Sequence, residues 1–152
     1  MRPDIKVWNP ENPAQWNKTL AWTTVWLSTF SLTLGFCAWF LVPSLAPRLN
    51  EIGFSLTHSQ LYWLVAMVGL SAGTLRILWT FLPPILGTRI LVTLSTGLLL
   101  IPFFCWVYAV QHPDTPYWML IIFALLSGIG GGTFSGLMAS TNYFFPKHAR
   151  GL

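Results

Sequence analysis

Charge is missing from four long tracts of this 152-residue chain: residues 19–47, 52–75, 90–113 and 115–146. Each exceeds the ~20 residues that a helix needs to cross a bilayer. Only 8% of the residues are charged and 54% are hydrophobic, whereas a soluble domain carries about 25% charged residues. A globule so poor in charge would not stay dissolved. The chain therefore reads as an all-α membrane protein. Its formal charge of +4 is not a nucleic-acid signal, because the basic residues lie in loops and form no stripe.

The tracts predict four transmembrane helices, at about residues 21–45, 58–84, 89–111 and 117–145. Together they make a membrane domain over 19–152, behind a cytoplasmic segment over 1–18. That segment is polar and broken by Pro3, Pro10 and Pro13. It does not resemble a cleavable signal peptide, so the first apolar tract is expected to remain as a helix. Trp22 and Trp26 suit an interfacial aromatic belt. Thr57-His58-Ser59-Gln60 predicts a capping box at the start of the second helix, with Thr57 capping and Gln60 reaching back. Pro83 and Pro84 mark the second helix's end, Pro102 should kink the third, and Pro146 should stop the fourth. With four crossings, Arg2, Lys6, Lys18, Arg89, Lys147 and Arg150 share one side, and Arg48 holds the other. The positive-inside rule makes the six-charge side cytoplasmic, with both termini there. The expected location is the plasma (inner) membrane, multi-pass.

Arg76 interrupts the otherwise uncharged stretch from about Leu61 to Ile85. A guanidinium cannot shed its proton to escape hydrocarbon. Even a lenient insertion scale sets ~2.5–3.5 kcal/mol against Arg near a helix centre. The cytoplasmic surface lies ~13 Å away at 1.5 Å per residue, beyond one side chain's reach. No Asp or Glu falls inside any apolar tract to pair with it. Residues three, four and seven positions back share its face. These are Gly73, Ala72 and Gly69, and Thr80 follows one turn on. A fixed cation on a small, slightly polar face suits an anion, and small residues let a ligand or another helix come close.

The fourth tract is rich in glycine. Gly128, Gly132, Gly136 and Ser140 form one stripe at spacing four, and Ser127, Gly131, Ser135 and Ala139 form another. Two readings stand for Gly128, Gly132 and Gly136, and for Gly73 and Gly69 of the second tract: plain helix packing, and a surface along which helices slide during conformational change. A phosphate-binding loop is excluded, because no Lys-Ser or Lys-Thr follows. On pattern alone Phe36 is a lipid-facing or core aromatic. Cys37 and Cys105 are expected to be small core residues. His58, His112 and His148 lie in loops or at helix ends, at spacings that match no haem or zinc arrangement. No metal or cofactor is expected.

These features together resemble the nitrate/nitrite porter family of the major facilitator superfamily. The likeness runs through Trp8-Asn9-Pro10-Glu11-Asn12-Pro13 and Trp16, Gly35-Phe36-Cys37-Ala38-Trp39 and Leu75-Arg76-Ile77. It continues in Pro84-Ile85-Leu86-Gly87-Thr88-Arg89, which lacks the acidic residue usual in that loop. It ends with the glycine-rich helix closing on Asn142-Tyr143-Phe144-Phe145-Pro146-Lys147. The resemblance implies a twelve-helix transporter of two six-helix halves, of which this chain is the N-terminal part, inactive alone. It implies that nitrate and nitrite are the partners, besides the lipid bilayer and the remaining helices. Nitrate would be sandwiched by aromatic rings and held by two arginines. Arg76 matches the first arginine and Phe36 one of the rings. Of the other classes, a complete small exporter working as an oligomer needs a membrane-embedded carboxylate, which is missing, and the second is a small four-helix membrane subunit or assembly protein without transport activity. Its signs, His pairs or intramembrane carboxylates, are missing. An enzyme is not expected.

Overall fold

The computed structural model describes residues 11–12 and 16–146, except for the side chain of Ser140. The matched motif residues Trp8–Pro10 and Pro13, His148, and the basic residues Arg2, Lys6, Lys147 and Arg150 lie outside the described residues. Within them the chain forms α1 (Lys18–Leu45), a 3-10 turn (Ala46–Arg48), α2 (Leu49–Ile52), α3 (His58–Leu98), α4 (Leu100–Gln111), α5 (Tyr117–Ser127) and α6 (Ile129–Asn142). The described residues contain no strand.

Three continuous helical stretches, not four, are long and apolar enough to cross a membrane: Lys18–Ile52, His58–Gln111 and Tyr117–Ala139. The second has 54 residues and would measure about 80 Å if straight, against about 30 Å of hydrocarbon. It is not straight. Gly87 takes φ 74 and ψ 157, a conformation open mainly to glycine. The Trp79 indole N–H then donates to Ser95 Oγ at 2.9 Å across 16 positions. A straight helix would hold those residues about 24 Å apart. The second and third expected helices are thus two arms of a helical hairpin, joined without the expected loop. The first arm runs past Pro83 and Pro84 to residue 86.

The remaining boundaries follow local chemistry. Asn17 caps α1 through the Leu20 amide at 3.0 Å, so the helix starts three residues before the expected position. The capping box forms as expected, with Thr57 N–H to Gln60 Oε1 at 2.9 Å and Gln60 N–H to Thr57 Oγ1 at 3.3 Å. The hairpin's second arm is interrupted at Leu99, between α3 and α4. This is one turn before Pro102, which has no N–H to offer the Leu98 carbonyl. The last helix ends at Asn142, short of Pro146.

Rods consecutive in the chain alternate in direction. Trp106 donates to Ser127 Oγ while Leu91 approaches Gly136, so the second arm runs opposite to α5–α6. Trp22 meets Phe145 while Gly35 meets Gly130, so α1 also runs opposite to α6. The first arm of α3 runs parallel to α5–α6. Tyr117 donates to the Gln60 carbonyl across 57 positions, and the pairs Gly128–Ser71, Gly132–Leu75 and Gly136–Trp79 keep that same offset. Two cores result. One holds Val42, Leu64, Val68, Trp106 and Leu120, and the other Ala38, Trp79, Leu91, Leu99 and Leu137.

Candidate functional site

Arg76 lies in the first arm of α3 with its side chain exposed. One guanidinium nitrogen, Nη2, is 3.4 Å from the Gly131 carbonyl of α6, to which it donates. The guanidinium carbon stands 5.8 Å from the centre of the Phe134 ring, a cation–π distance. Phe134 meets Phe36 of α1 edge-on, at 5.9 Å and 61°. Phe36 in turn stacks on Phe40 at 6.4 Å and touches Trp39 at 5.9 Å. The structure therefore brings the two singled-out residues to one place, linked by a third that the sequence reading missed. Phe134 is the one ring in Gly130-Gly131-Gly132-Thr133-Phe134-Ser135-Gly136. A lone bulky residue in a tract of small ones was the available signal.

Among the described residues the charge has no carboxylate beside it. The chain's acidic residues are Asp4, Glu11, Glu51 and Asp114. Glu51 lies in the short α2 and Asp114 in the turn before α5, and Arg76 makes no ion pair among the described residues. Backbone hydrogen bonding fixes the residue's position instead. Its carbonyl accepts from Thr80 Oγ1 at 2.8 Å and from Ser135 Oγ at 2.9 Å. A guanidinium so placed keeps most of its planar fork of donors free. That fork matches two oxygens of a planar oxyanion at once.

The glycines divide into two groups. A Cβ on Gly128 would stand 2.6 Å from that of Ser71, one on Gly132 would stand 2.7 Å from that of Leu75, and one on Gly136 would stand 2.8 Å from the Trp79 carbonyl oxygen. These three take the side of the first arm directly against the α6 backbone. Gly69 and Gly73, on the strip that leads to Arg76, have nothing within 4 Å of an added Cβ. Cys37, expected in the core, is exposed on α1, and Cys105 is half-buried. His58 is exposed at the start of α3, and His112 is exposed beyond the end of α4. Among the described residues no three His, Cys, Asp or Glu side chains gather as metal ligands would.

Residues 7–152 match the Major Facilitator Superfamily. The chain belongs to that superfamily. Among its relatives, the protein named probable nitrate/nitrite antiporter NarK2 of Thermus thermophilus is 60% identical over 147 residues, which is 97% of this chain and 33% of that protein. The nitrate/nitrite transporter NarU of Salmonella typhimurium is 41% identical, over 95% of this chain and 32% of its own length. NarU of Escherichia coli is 39% identical, over 97% of this chain and 32% of its own length. The chain thus spans about a third of the length of these curated relatives. The superfamily and the names of its relatives bear out the resemblance drawn from the motifs. Membership, with the three long apolar helices, makes it a multi-pass membrane chain.

Proposed function

We propose that this chain forms the first four membrane crossings of a twelve-helix nitrate/nitrite transporter, with Arg76, Phe36 and Phe134 as one wall of its anion site. The observation that carries this reading is the unpaired guanidinium of Arg76 against the Phe134–Phe36 ring pair. The names of the relatives supply the substrate. Nitrate and nitrite are small, planar and weakly hydrated. Two of their oxygens can accept from the guanidinium fork, while ring faces and edges flank the anion without restoring its water. Rocking of two six-helix halves about a midplane site then exposes the anion to each side in turn. Gly128, Gly132 and Gly136 act in this as a fixed seam that keeps Arg76 and Phe134 moving together. Gly69 and Gly73 leave the approach to Arg76 clear.

The four crossings are α1, the two arms of the hairpin, and α5–α6. Trp16 of the N-terminal segment donates to the Phe144 carbonyl at 3.0 Å, so the two ends of the described chain meet. The Gly87 bend and Arg89 belong to that same end, because the first arm runs opposite to α1. Lys18 and Arg89 at this end, against Arg48 at the other, support a cytoplasmic placement in the plasma (inner) membrane.

The test is uptake of labelled nitrate into proteoliposomes by the full-length transporter carrying this chain, with Arg76→Lys beside it. A point charge loses the bidentate fork, and uptake should fall by about two orders of magnitude, with removal of a charged hydrogen-bond pair as the guide. Uptake kinetics unchanged by Arg76→Lys would remove this residue from the site and overturn the reading.

A further inference from the structure

Arg76 is gripped twice by one turn of α6. Gly131 accepts from the guanidinium tip at 3.4 Å. Ser135, four residues on and so on the same face, donates its hydroxyl to the Arg76 backbone carbonyl at 2.9 Å. Phe134 lies between them in sequence and faces the guanidinium. We infer that Ser135 is a positioning residue that sets the height of the Arg76 guanidinium against the Phe134 ring. This rests on the reading of Arg76 as an anion ligand.

The geometry sets Ser135 apart from the other hydroxyls nearby. Thr74 and Thr80 bond carbonyls one turn back on their own helix, Leu70 and Arg76 respectively. Such bonds adjust a helix locally but tie it to nothing else. Ser135 Oγ also lies within reach of its own Gly132 carbonyl at 3.2 Å, yet its shorter contact crosses to another helix. Gly132 and Gly136, on either side of Phe134, explain why the short reach of serine, one methylene and its oxygen, suffices. Gly132 and Gly136 let the α3 backbone come close enough that an added Cβ would meet Leu75 Cβ at 2.7 Å and the Trp79 carbonyl oxygen at 2.8 Å. A single hydroxyl then spans the remaining gap to the carbonyl of the residue that carries the charge. Without it, the first arm can shift along or turn against α6. The guanidinium would then lose its alignment over Phe134 while the seam remains packed.

The experiment compares Ser135→Ala, Ser135→Thr and Arg76→Lys in the full-length transporter, reading KM and kcat for nitrate uptake together with the melting temperature. Loss of one interhelical hydrogen bond that orients the ligand should raise KM about three- to tenfold in Ser135→Ala. The kcat and melting temperature should stay near those of the parent, and Ser135→Thr, which keeps the hydroxyl, should restore KM. An unchanged KM in Ser135→Ala, or a lowered melting temperature with KM unmoved, would overturn the inference and leave a packing role. Should Ser135→Ala fail to fold, Ser135→Cys gives the same readout with the size kept and the donor weakened, and a parental KM there overturns it equally. If Arg76→Lys collapses uptake while Ser135→Ala is silent, the positioning role alone falls. If Arg76→Lys is itself silent, the anion-site reading falls.

Discussion

The first arm of α3 shows α6 one kind of surface and leaves another open about a third of the way round the same helix. Toward α6 it presents Ser71, Leu75 and Trp79, each received by a glycine. On the adjoining strip it carries Gly69, Gly73 and Arg76, and the glycines there meet nothing. Both surfaces depend on small residues at helical spacing, supplied by Gly128, Gly132 and Gly136 against the first and by the first arm's own Gly69 and Gly73 at the second. In one the missing side chains are filled by a neighbour, and in the other they leave room beside a charge. Small-residue periodicity therefore marks close approach without saying what approaches. In a bilayer, where lipid tails are as apolar as leucine, close packing and interhelical hydrogen bonds must hold helices together. The filled strip does this, and over the glycines of the charged one no atom of the described residues comes within 4 Å of an added Cβ.

The filled side should break most readily at Gly130. Its added Cβ would fall on the Gly35 carbonyl oxygen, with the Trp39 amide at 3.2 Å. Neither neighbour is a flexible side-chain end that could swing away. Gly130→Ala should destabilise the helical bundle by about 3 kcal/mol, the upper end of the overpacking range. A melting curve of the purified transporter in detergent would show it as a marked drop. A melting temperature equal to the parent's would mean that α1 and α6 do not approach so closely.

Next in size is Trp79, which closes the seam at its hairpin end. Its ring carbons and carbonyl lie over Gly136, and its indole N–H donates to Ser95 Oγ, a buried pair. Trp79→Phe keeps an aromatic ring but leaves the Ser95 hydroxyl without that donor. The expected loss is about 1–2 kcal/mol from the hydrogen bond and the smaller ring. The melting temperature of Trp79→Phe should fall less than that of Gly130→Ala, and nitrate KM should stay unchanged. A raised KM with an unchanged melting temperature would show that the hairpin end shapes the open strip too.

How far this was legible in the sequence differs between the two sides. Arg76 stood out because a charge in an apolar tract has few physical explanations. Tract length against bilayer thickness gave a helical membrane chain, but four helices were expected where three continuous ones form. Less visible was that residues 58–111 form one continuous hairpin. The first arm runs through Pro83 and Pro84, and Gly87 alone supplies the bend. Phe134 stayed hidden because its neighbours suggested packing, and period alone places a ring on a face without naming the charge opposite. Cys37 was misplaced for a related reason. An apolar tract shows that a residue is within the membrane, but lipid and protein core are equally apolar there. Gly69 and Gly73 share the small-residue spacing of Gly128, Gly132 and Gly136, and spacing cannot distinguish a filled hollow from an empty one.

The smallest effect on stability, and the sharpest on the comparison, belongs to Gly73. It lies three positions before Arg76 on the same face, with no atom within 4 Å of an added Cβ. Gly73→Ala should change stability by no more than about 1 kcal/mol, and in the favourable direction, because alanine is the better helix former. Gly73→Leu goes further. Leucine at this position should fold as well as the parent, yet its branched end would lie along the approach to the guanidinium. If the open strip admits an anion, Gly73→Leu should raise nitrate KM severalfold at a parental melting temperature. If instead the strip packs against another helix of the full-length protein, leucine should lower the melting temperature as Gly130→Ala does. A KM and a melting temperature both equal to the parent's would place the strip against lipid. Its emptiness would then say nothing about Arg76, and the distinction between the two sides of α3 would reduce to packing alone.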